Sequence, residues 1–234
     1  MATAKLFDSD NGTITIPSLY QGLIPVSASE QESLRRLQNR EQAFRANAGL
    51  LEHAQILSHG VFPIDAQLAR ETSIAILGID GTNGQTATIP PFAQAHLSVR
   101  VPPGKDPQAV RRALVEHYRK NTPFNLQVDV SEDPGATYPW HADADHPALN
   151  LVGTALSFGF GTEPTLFMGS GGTIGLMTVL SRATKGAPQM LIGIDDPDTN
   201  LHGPDEQLHL RTFAGNRDGL IHLLHSLSLA RRFP

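Results

Sequence analysis

AQAHLSVRVP, residues 93–102, is the stretch that decides the fold class of this 234-residue chain. Its apolar residues, among them Leu97 and Val99, alternate with polar ones, and a period of two predicts a strand buried on one face. The stretch ends a longer strand expected within residues 86–101. Asp106 and Pro107 then predict a helix start, because Asp is a favoured cap and Pro is favoured at the first helical position.

Two more strand patterns flank this unit. Residues 73–79 predict a buried strand before it, and Leu126, Val128 and Val130 alternate in a strand after the helix. The order strand, strand, helix, strand over residues 72–134 fits a ferredoxin-like sandwich that lacks its first strand and helix.

Residues 1–71 predict a helical excursion that packs on another part of the protein, since they show no evident apolar core of their own. A short strand-like piece at 13–16 ends at Pro17. The pattern Ser29-Glu30-Gln31-Glu32 has the form of a capping box and predicts a helix start.

Residues 135–234 alternate between helix and strand patterns, which predicts an α/β fold with mostly parallel strands. Helices are expected at 147–158, 173–182 and 216–231, and strands at 164–168 and 189–194. In the last helix, the residues expected to face inward are Leu220, Leu223, Leu224 and Leu227. Two strands form only half of such a sheet and leave an edge unpaired.

The composition limits the classes of function. The chain carries a formal net charge of −5 and no cysteine, which excludes disulfides and thiolate metal sites. It shows no concentrated basic face for nucleic acid, no apolar run long enough to span a membrane and no apolar signal core. We expect a soluble, cytoplasmic protein with neither a nucleic-acid nor a membrane partner.

Three features are candidates for chemistry. The loop 195–206 follows a predicted strand, and its His202 is able to bind a metal through a neutral imidazole. The glycine-rich turn 169–173 offers backbone amides to an anion at a helix start. Arg100 ends a strand, and its guanidinium fork suits a carboxylate.

Each candidate has a simpler explanation that the sequence leaves open. The loop is also typical of a polar surface, the glycines of a tight turn, and Arg100 of an exposed strand end. The segment 141–146 holds two His and two Asp, yet alternate residues of an extended chain do not converge on one ion. We expect Asp145 to cap the helix that begins at Pro147.

The order of these motifs resembles one family. Residues 78–102, then Gly171-Gly172-Thr173-Ile174, then His202-Gly203-Pro204-Asp205-Glu206 are similar to the lid (dimerisation) domain, glycine turn and histidine loop of the co-catalytic zinc peptidases. That family includes carnosine dipeptidases, glutamate carboxypeptidase and aminoacylase. The resemblance covers nearly the whole chain and implies an incomplete ferredoxin-like lid at 72–134 and the C-terminal half of an α/β catalytic domain at 135–234.

The resemblance also implies roles for individual residues. His202 matches the last protein ligand of a two-zinc site, and Glu206 matches the acidic residue behind it. Arg100 matches the lid arginine that binds the C-terminal carboxylate of the substrate. The family's turn that binds the same end of the substrate corresponds here to Gly171, Gly172 and Thr173. The implied substrate is a dipeptide or an N-acyl amino acid, and the implied assembly is a homodimer through the lid.

The family's other metal ligands are missing from this sequence. Its His-x-Asp motif, bridging Asp and Glu-Glu pair with the general base are not found, so we assign no catalytic residue. Gly175 replaces a proline of the glycine turn, and Gly203 and Asp205 replace Ser and Asn of the histidine loop. Because one ligand does not hold two zincs, we expect the chain alone to be inactive.

The main hypothesis is therefore a part of a zinc-dependent dipeptidase or amidohydrolase that cleaves a peptide or amide bond next to a free carboxylate. The first alternative is a non-catalytic dimerisation or binding module derived from that family, which pairs through the lid strand edge. The second is an anion-binding α/β protein that uses the glycine turn alone.

Overall fold

The computed structural model describes residues 2–36, 40–56, 64–81, 89–131, 137–162, 169, 171, 174–194, 196 and 198–229. Its two strands are β1 (Ser73–Asp80) and β2 (Gln94–Arg100). Its α-helices are α1 (Ala28–Arg36), α2 (Arg40–Asn47), α3 (Ile64–Arg70), α4 (Pro107–Asn121), α5 (Pro147–Phe160), α6 (Gly175–Ala183) and α7 (Leu210–Leu229).

The chain forms two compact units. The first, which we call the sheet unit, comprises Met1–Pro25, Gln55–Trp140 and Gly169–Thr178 and contains β1, β2, α3 and α4. The second, the helical unit, comprises Val26–Ala54, His141–Met168 and Val179–Pro234 and contains α1, α2, α5 and α7.

The core of the sheet unit is built partly from the start of the chain. Leu6, Ile14, Ile16 and Leu19 are buried together with Val110 of α4. The first four belong to the segment 1–71, for which the sequence predicts packing on another part of the protein, and they pack against α4 and both strands. Burial of side chains of this size stabilises by about 1.5–3 kcal/mol each, so residues 2–25 are integral to this unit.

The two strands pair antiparallel, with Ser73 opposite Arg100 and Asp80 opposite Gln94. The alternation predicted for β2 is confirmed, since every second residue of the strand is exposed. The prediction that the first strand is buried is wrong: most of β1 is exposed, including Leu77 at 70%. The register shifts between Ile76 and Gly78, so Leu77 has no partner in the ladder.

Helix α4 begins as predicted. The Asp106 carboxylate accepts hydrogen bonds from the amides of Gln108 and Ala109, each at 3.1 Å, and Pro107 is the first helical residue. Val110 and His117 are buried on the inner face.

Several predicted strands are not strands in the described residues. The stretches 126–130 and 189–194 have no strand assignment, and 13–16 forms only an isolated bridge between Phe7 and Ile14. A strand needs a ladder partner, and the described sheet contains β1 and β2 alone. The predicted strand at 164–168 lies outside the described residues.

Two helix caps differ from the predicted ones by a few residues. The capping box of α1 joins Ser27 and Glu30, whose side chains each accept the other's backbone amide, at 3.2 and 2.9 Å. At α5 the cap is His146, whose Nδ1 accepts the Ala148 amide at 3.1 Å, rather than Asp145. The Asp145 carboxylate instead accepts a hydrogen bond from Ser29.

In the helical unit, α5 packs on α7 through small residues. Gly215, Asn216 and Gly219 are the buried residues of α7. Of the four leucines predicted to face inward, Leu220 and Leu224 are 42% and 67% exposed, whereas Leu223 and Leu227 are half-buried. Close approach of the two helices selects residues without bulky side chains, so the leucine pattern identified the packed face of α7 only in part. Among the described helices, none is long and apolar enough to cross a bilayer.

Candidate functional site

Arg100 and Gly171, two of the predicted substrate-binding residues, lie together in the sheet unit. The Arg100 Nη1 group donates a hydrogen bond to the Gly171 carbonyl oxygen. Arg100 is exposed at the end of β2, and this contact involves one nitrogen of a guanidinium with five N–H donors. The remaining N–H donors of the Arg100 guanidinium suit the binding of an anion beside the turn.

Two glycines of this turn, Gly169 and Gly171, are required by packing against α3. A Cβ on Gly169 would lie 2.3 Å from the Ala69 Cβ, and a Cβ on Gly171 would lie 2.8 Å from the Leu68 carbonyl oxygen. Small residues here are thus explained by the close approach to α3, and an anion site is not needed to explain them. Gly172 and Thr173 lie outside the described residues, so their predicted role stays a prediction.

His202 lies in a tight loop of the helical unit. The Gly203 amide donates to the Asn200 carbonyl at 2.8 Å, which makes residues 200–203 a β-turn. His202 occupies the third position of this turn with φ of 63°, a left-handed conformation that usually selects Gly or Asn there. The Gln207 amide closes the loop on the carbonyl oxygen of the buried Thr199 at 2.8 Å.

Glu206 contacts the backbone of His202. Its Oε2 accepts the His202 amide at 3.4 Å, a long hydrogen bond between two exposed residues. The carboxylate expected to lie behind the imidazole therefore braces the loop's main chain.

A carboxylate does orient an imidazole elsewhere in the helical unit, at His209. Its Nδ1 lies 3.2 Å from the Asp196 Oδ2 and 2.8 Å from the Thr212 Oγ1, directly before α7. His96 and Asp80 form a looser pair on the face of the β-ladder that carries Arg100: the His96 Nε2 lies 3.7 Å from the Asp80 Oδ2, beyond hydrogen-bond distance. Neither pair is among the site residues that the sequence predicts, although the period of two in β2 places His96 on the same face as Arg100.

The described residues do not form a metal centre. No group of three or more His, Asp or Glu side chains able to hold an ion occurs among them. The exposed imidazole of His202 has the donor chemistry of a single zinc ligand, and the remaining ligands are not supplied by the part of the chain that the structure describes. In the segment 141–146, Asp143 and His146 accept backbone hydrogen bonds in turns.

Comparison with known proteins identifies a family signature in this chain. A family model described as the peptidase dimerisation domain matches residues 30–125. The cysteinylglycine-S-conjugate dipeptidase of Corynebacterium striatum is 31% identical over 170 residues, a match that covers 71% of this chain and 37% of that protein.

Three solved structures share the fold. The M20 family metallo-carboxypeptidase Sso-CP2 of Sulfolobus solfataricus matches with a TM-score of 0.74 at 19% identity, over 95% of this chain and 50% of that one. Human carnosine dipeptidase 1 gives 0.72 at 21% identity, over 97% and 48%. The di-peptidase Dug1p of Saccharomyces cerevisiae gives 0.71 at 18% identity, over 99% and 48%.

These likenesses confirm the predicted α/β fold class, here with a small antiparallel sheet. The chain spans 37% of the dipeptidase and about half of each solved chain.

Proposed function

Because this chain belongs to the M20 family of metallopeptidases, we propose that it is part of a metal-dependent dipeptidase or related amidohydrolase. The bond cleaved is a peptide or amide bond next to a free carboxylate. A cysteinylglycine conjugate is one candidate substrate, by similarity to the Corynebacterium striatum enzyme, and the wider class is dipeptides and N-acyl amino acids.

The contact between Arg100 and Gly171 is the observation that carries this proposal. In this contact, an exposed guanidinium lies against the glycine-rich turn. The family resemblance implies that this turn binds the carboxylate end of the substrate. Arginine suits this task because its planar fork donates two parallel hydrogen bonds to one carboxylate. We assign Gly172 and Thr173 to the same end of the substrate.

His202 is the residue that we assign to the metal, with zinc as the proposed ion and two ions in the complete site. A bound zinc lowers the pKa of a coordinated water and polarises a carbonyl group. Glu206 contributes by holding the His202 main chain. Since the described residues form no group of three ligands, we assign no catalytic step to this chain and propose that it is inactive alone.

The proposed assembly is a homodimer through the lid, supported by the match to the peptidase dimerisation domain. Localisation in the cytoplasm stays a prediction. A non-catalytic dimerisation module is the second candidate, favoured by the lack of a metal-ligating group among the described residues. That candidate predicts a dimer without selectivity for carboxylates.

Titration of the purified chain with glycylglycine and glycylglycinamide tests the carboxylate site. The two ligands differ only in the terminal carboxylate, and we expect about fivefold tighter binding of glycylglycine, as an exposed charged pair provides. Arg100→Ala should remove this preference. Arg217→Ala, which removes an exposed arginine paired with its neighbour Asp218, should keep it. Equal binding of both ligands by the unmodified chain would contradict the proposal.

A further inference from the structure

We propose that Asn200 is a positioning residue: its side chain holds the turn that places His202 in its left-handed conformation. This inference deepens the proposed function and rests on it, since the role of His202 as a metal ligand belongs to that proposal. It concerns the conformation of the loop that carries the His202 imidazole in the metal-free chain.

The first support is the position of the Asn200 amide inside the loop. The side-chain Nδ2 of Asn200 donates a hydrogen bond to the Pro204 carbonyl oxygen, while the main-chain carbonyl oxygen of Asn200 accepts the Gly203 amide at 2.8 Å. One residue therefore ties both ends of the short segment that contains His202.

The second support is the backbone cost of the turn. Asn200, His202 and Asp205 have φ values of 56°, 63° and 58°, so three non-glycine residues adopt the left-handed region within six positions. Asn, His and Asp enter this region several times more often than other non-glycine residues, but for any residue with a Cβ it remains less favourable than the right-handed region. Hydrogen bonds from the surrounding loop must offset the strain, and the Asn200 side chain supplies one of them.

The third support is the residue that replaces the family's serine in this loop. A Cβ on Gly203 would lie 2.5 Å from the Asn200 Oδ1 and 2.7 Å from its Cγ and Nδ2. A side chain at this position and the bonded amide of Asn200 therefore exclude each other. Gly203 leaves the space in which the Asn200 amide braces the turn.

The consequence concerns metal affinity. If His202 binds a metal from its left-handed conformation, the apparent affinity falls in proportion to the population of that conformation. Asn200→Ala removes one hydrogen bond from an exposed loop, and the expected loss in the left-handed population is about fivefold.

Nuclear magnetic resonance of the full chain tests this inference with two independent readouts. The backbone coupling constant and amide shift of His202 report its φ, and the shift of its imidazole during zinc titration reports metal contact. The variants are Asn200→Ala, Gly203→Ser and both together, with Asn150→Ala, an exposed asparagine of α5, as the matched control. The thermal midpoint should be unchanged in all four.

We expect Asn200→Ala and Gly203→Ser each to shift His202 out of the left-handed region and to weaken the zinc response about fivefold. The double variant should be no worse than either single one, because both act on the same amide, and such non-additivity marks coupled residues. Additive losses, or an unchanged His202 coupling in Asn200→Ala, would overturn the inference.

The two proposals fail in different ways. If zinc leaves the His202 imidazole unperturbed in the unmodified chain, the assignment of His202 to the metal fails, and with it any role of Asn200 in metal binding. If zinc perturbs the imidazole equally in the unmodified chain and in Asn200→Ala, the proposed function stands and the positioning role of Asn200 is wrong.

Discussion

Gly159 of α5 and Gly215 of α7 lie so close that a Cβ on Gly159 would be 2.2 Å from the Gly215 carbonyl oxygen. The same Cβ would lie 2.3 Å from the Gly219 amide nitrogen, so the obstacle is backbone on both sides. Gly159→Ala must therefore push the helices apart. Overpacking of this kind costs about 1–3 kcal/mol, which exceeds the gain of about 1 kcal/mol that alanine brings to a helix.

Chemical denaturation of Gly159→Ala checks this expectation. The matched control is Gly193→Ala in the same unit, where an added Cβ would meet nothing within 4 Å. We expect a lower unfolding midpoint for the first variant and a nearly unchanged midpoint for the second. Equal midpoints for Gly159→Ala and the unmodified chain would show that the two helices do not need this close approach.

Local signals explain what the sequence predicted well. The cap at Asp106 and the alternation in β2 depend on neighbouring residues alone, so both were predicted correctly. The same holds for α6, which begins directly after the glycine turn. The motif order that led to the M20 family likewise requires no three-dimensional information.

Non-local partners explain what the sequence missed. Residues 126–130 have a strand pattern but no ladder partner among the described residues. Leu224 was placed in the core by periodicity, yet the face of α7 that packs is set by the glycines that α5 approaches. In the candidate site, Arg100 and the glycine turn are 71 residues apart, and only the fold shows that they touch.

Tyr20 provides a prediction for the dependence of stability on pH. Burial raises the pKa of its phenol, the Ile14 amide that donates to its oxygen at 2.8 Å lowers it, and the charge of Glu71 raises it. Together these effects place the pKa of Tyr20 above the ordinary tyrosine value of about 10. As pH rises, the Tyr20 phenol therefore loses its proton in the unfolded chain before it does so in the folded chain. The free energy of unfolding falls as pH rises from the ordinary tyrosine pKa towards the pKa of Tyr20 in the folded chain.

Tyr20→Phe should remove that part of the pH dependence. At neutral pH the variant should lose about 1 kcal/mol, because the Ile14 amide loses its acceptor. Denaturation at neutral pH and near pH 10, with the phenolate followed by ultraviolet absorbance, measures both effects. Tyr138→Phe, at a tyrosine that is 50% exposed, is the matched control for the removal of a phenol. An identical slope in Tyr20→Phe would show that another group causes the loss of stability.

The affinity of the chain for zinc bears most directly on its function. Tight zinc sites in proteins combine three or four ligands, and the described residues offer no group of three. Calorimetric titration of zinc into the chelator-stripped chain should therefore give a dissociation constant weaker than about 1 µM. The purified chain with zinc should not hydrolyse cysteinylglycine.

His202→Ala is the variant that makes this titration decisive. Residual weak binding should fall in His202→Ala and persist in His225→Ala, which removes an exposed histidine of α7. Tight binding that disappears in His202→Ala, or dipeptide hydrolysis abolished by a chelator, would show that this chain builds a complete metal site. In that case the missing ligands would have to come from this chain or from a second copy of it, and the assignment of inactivity would be wrong.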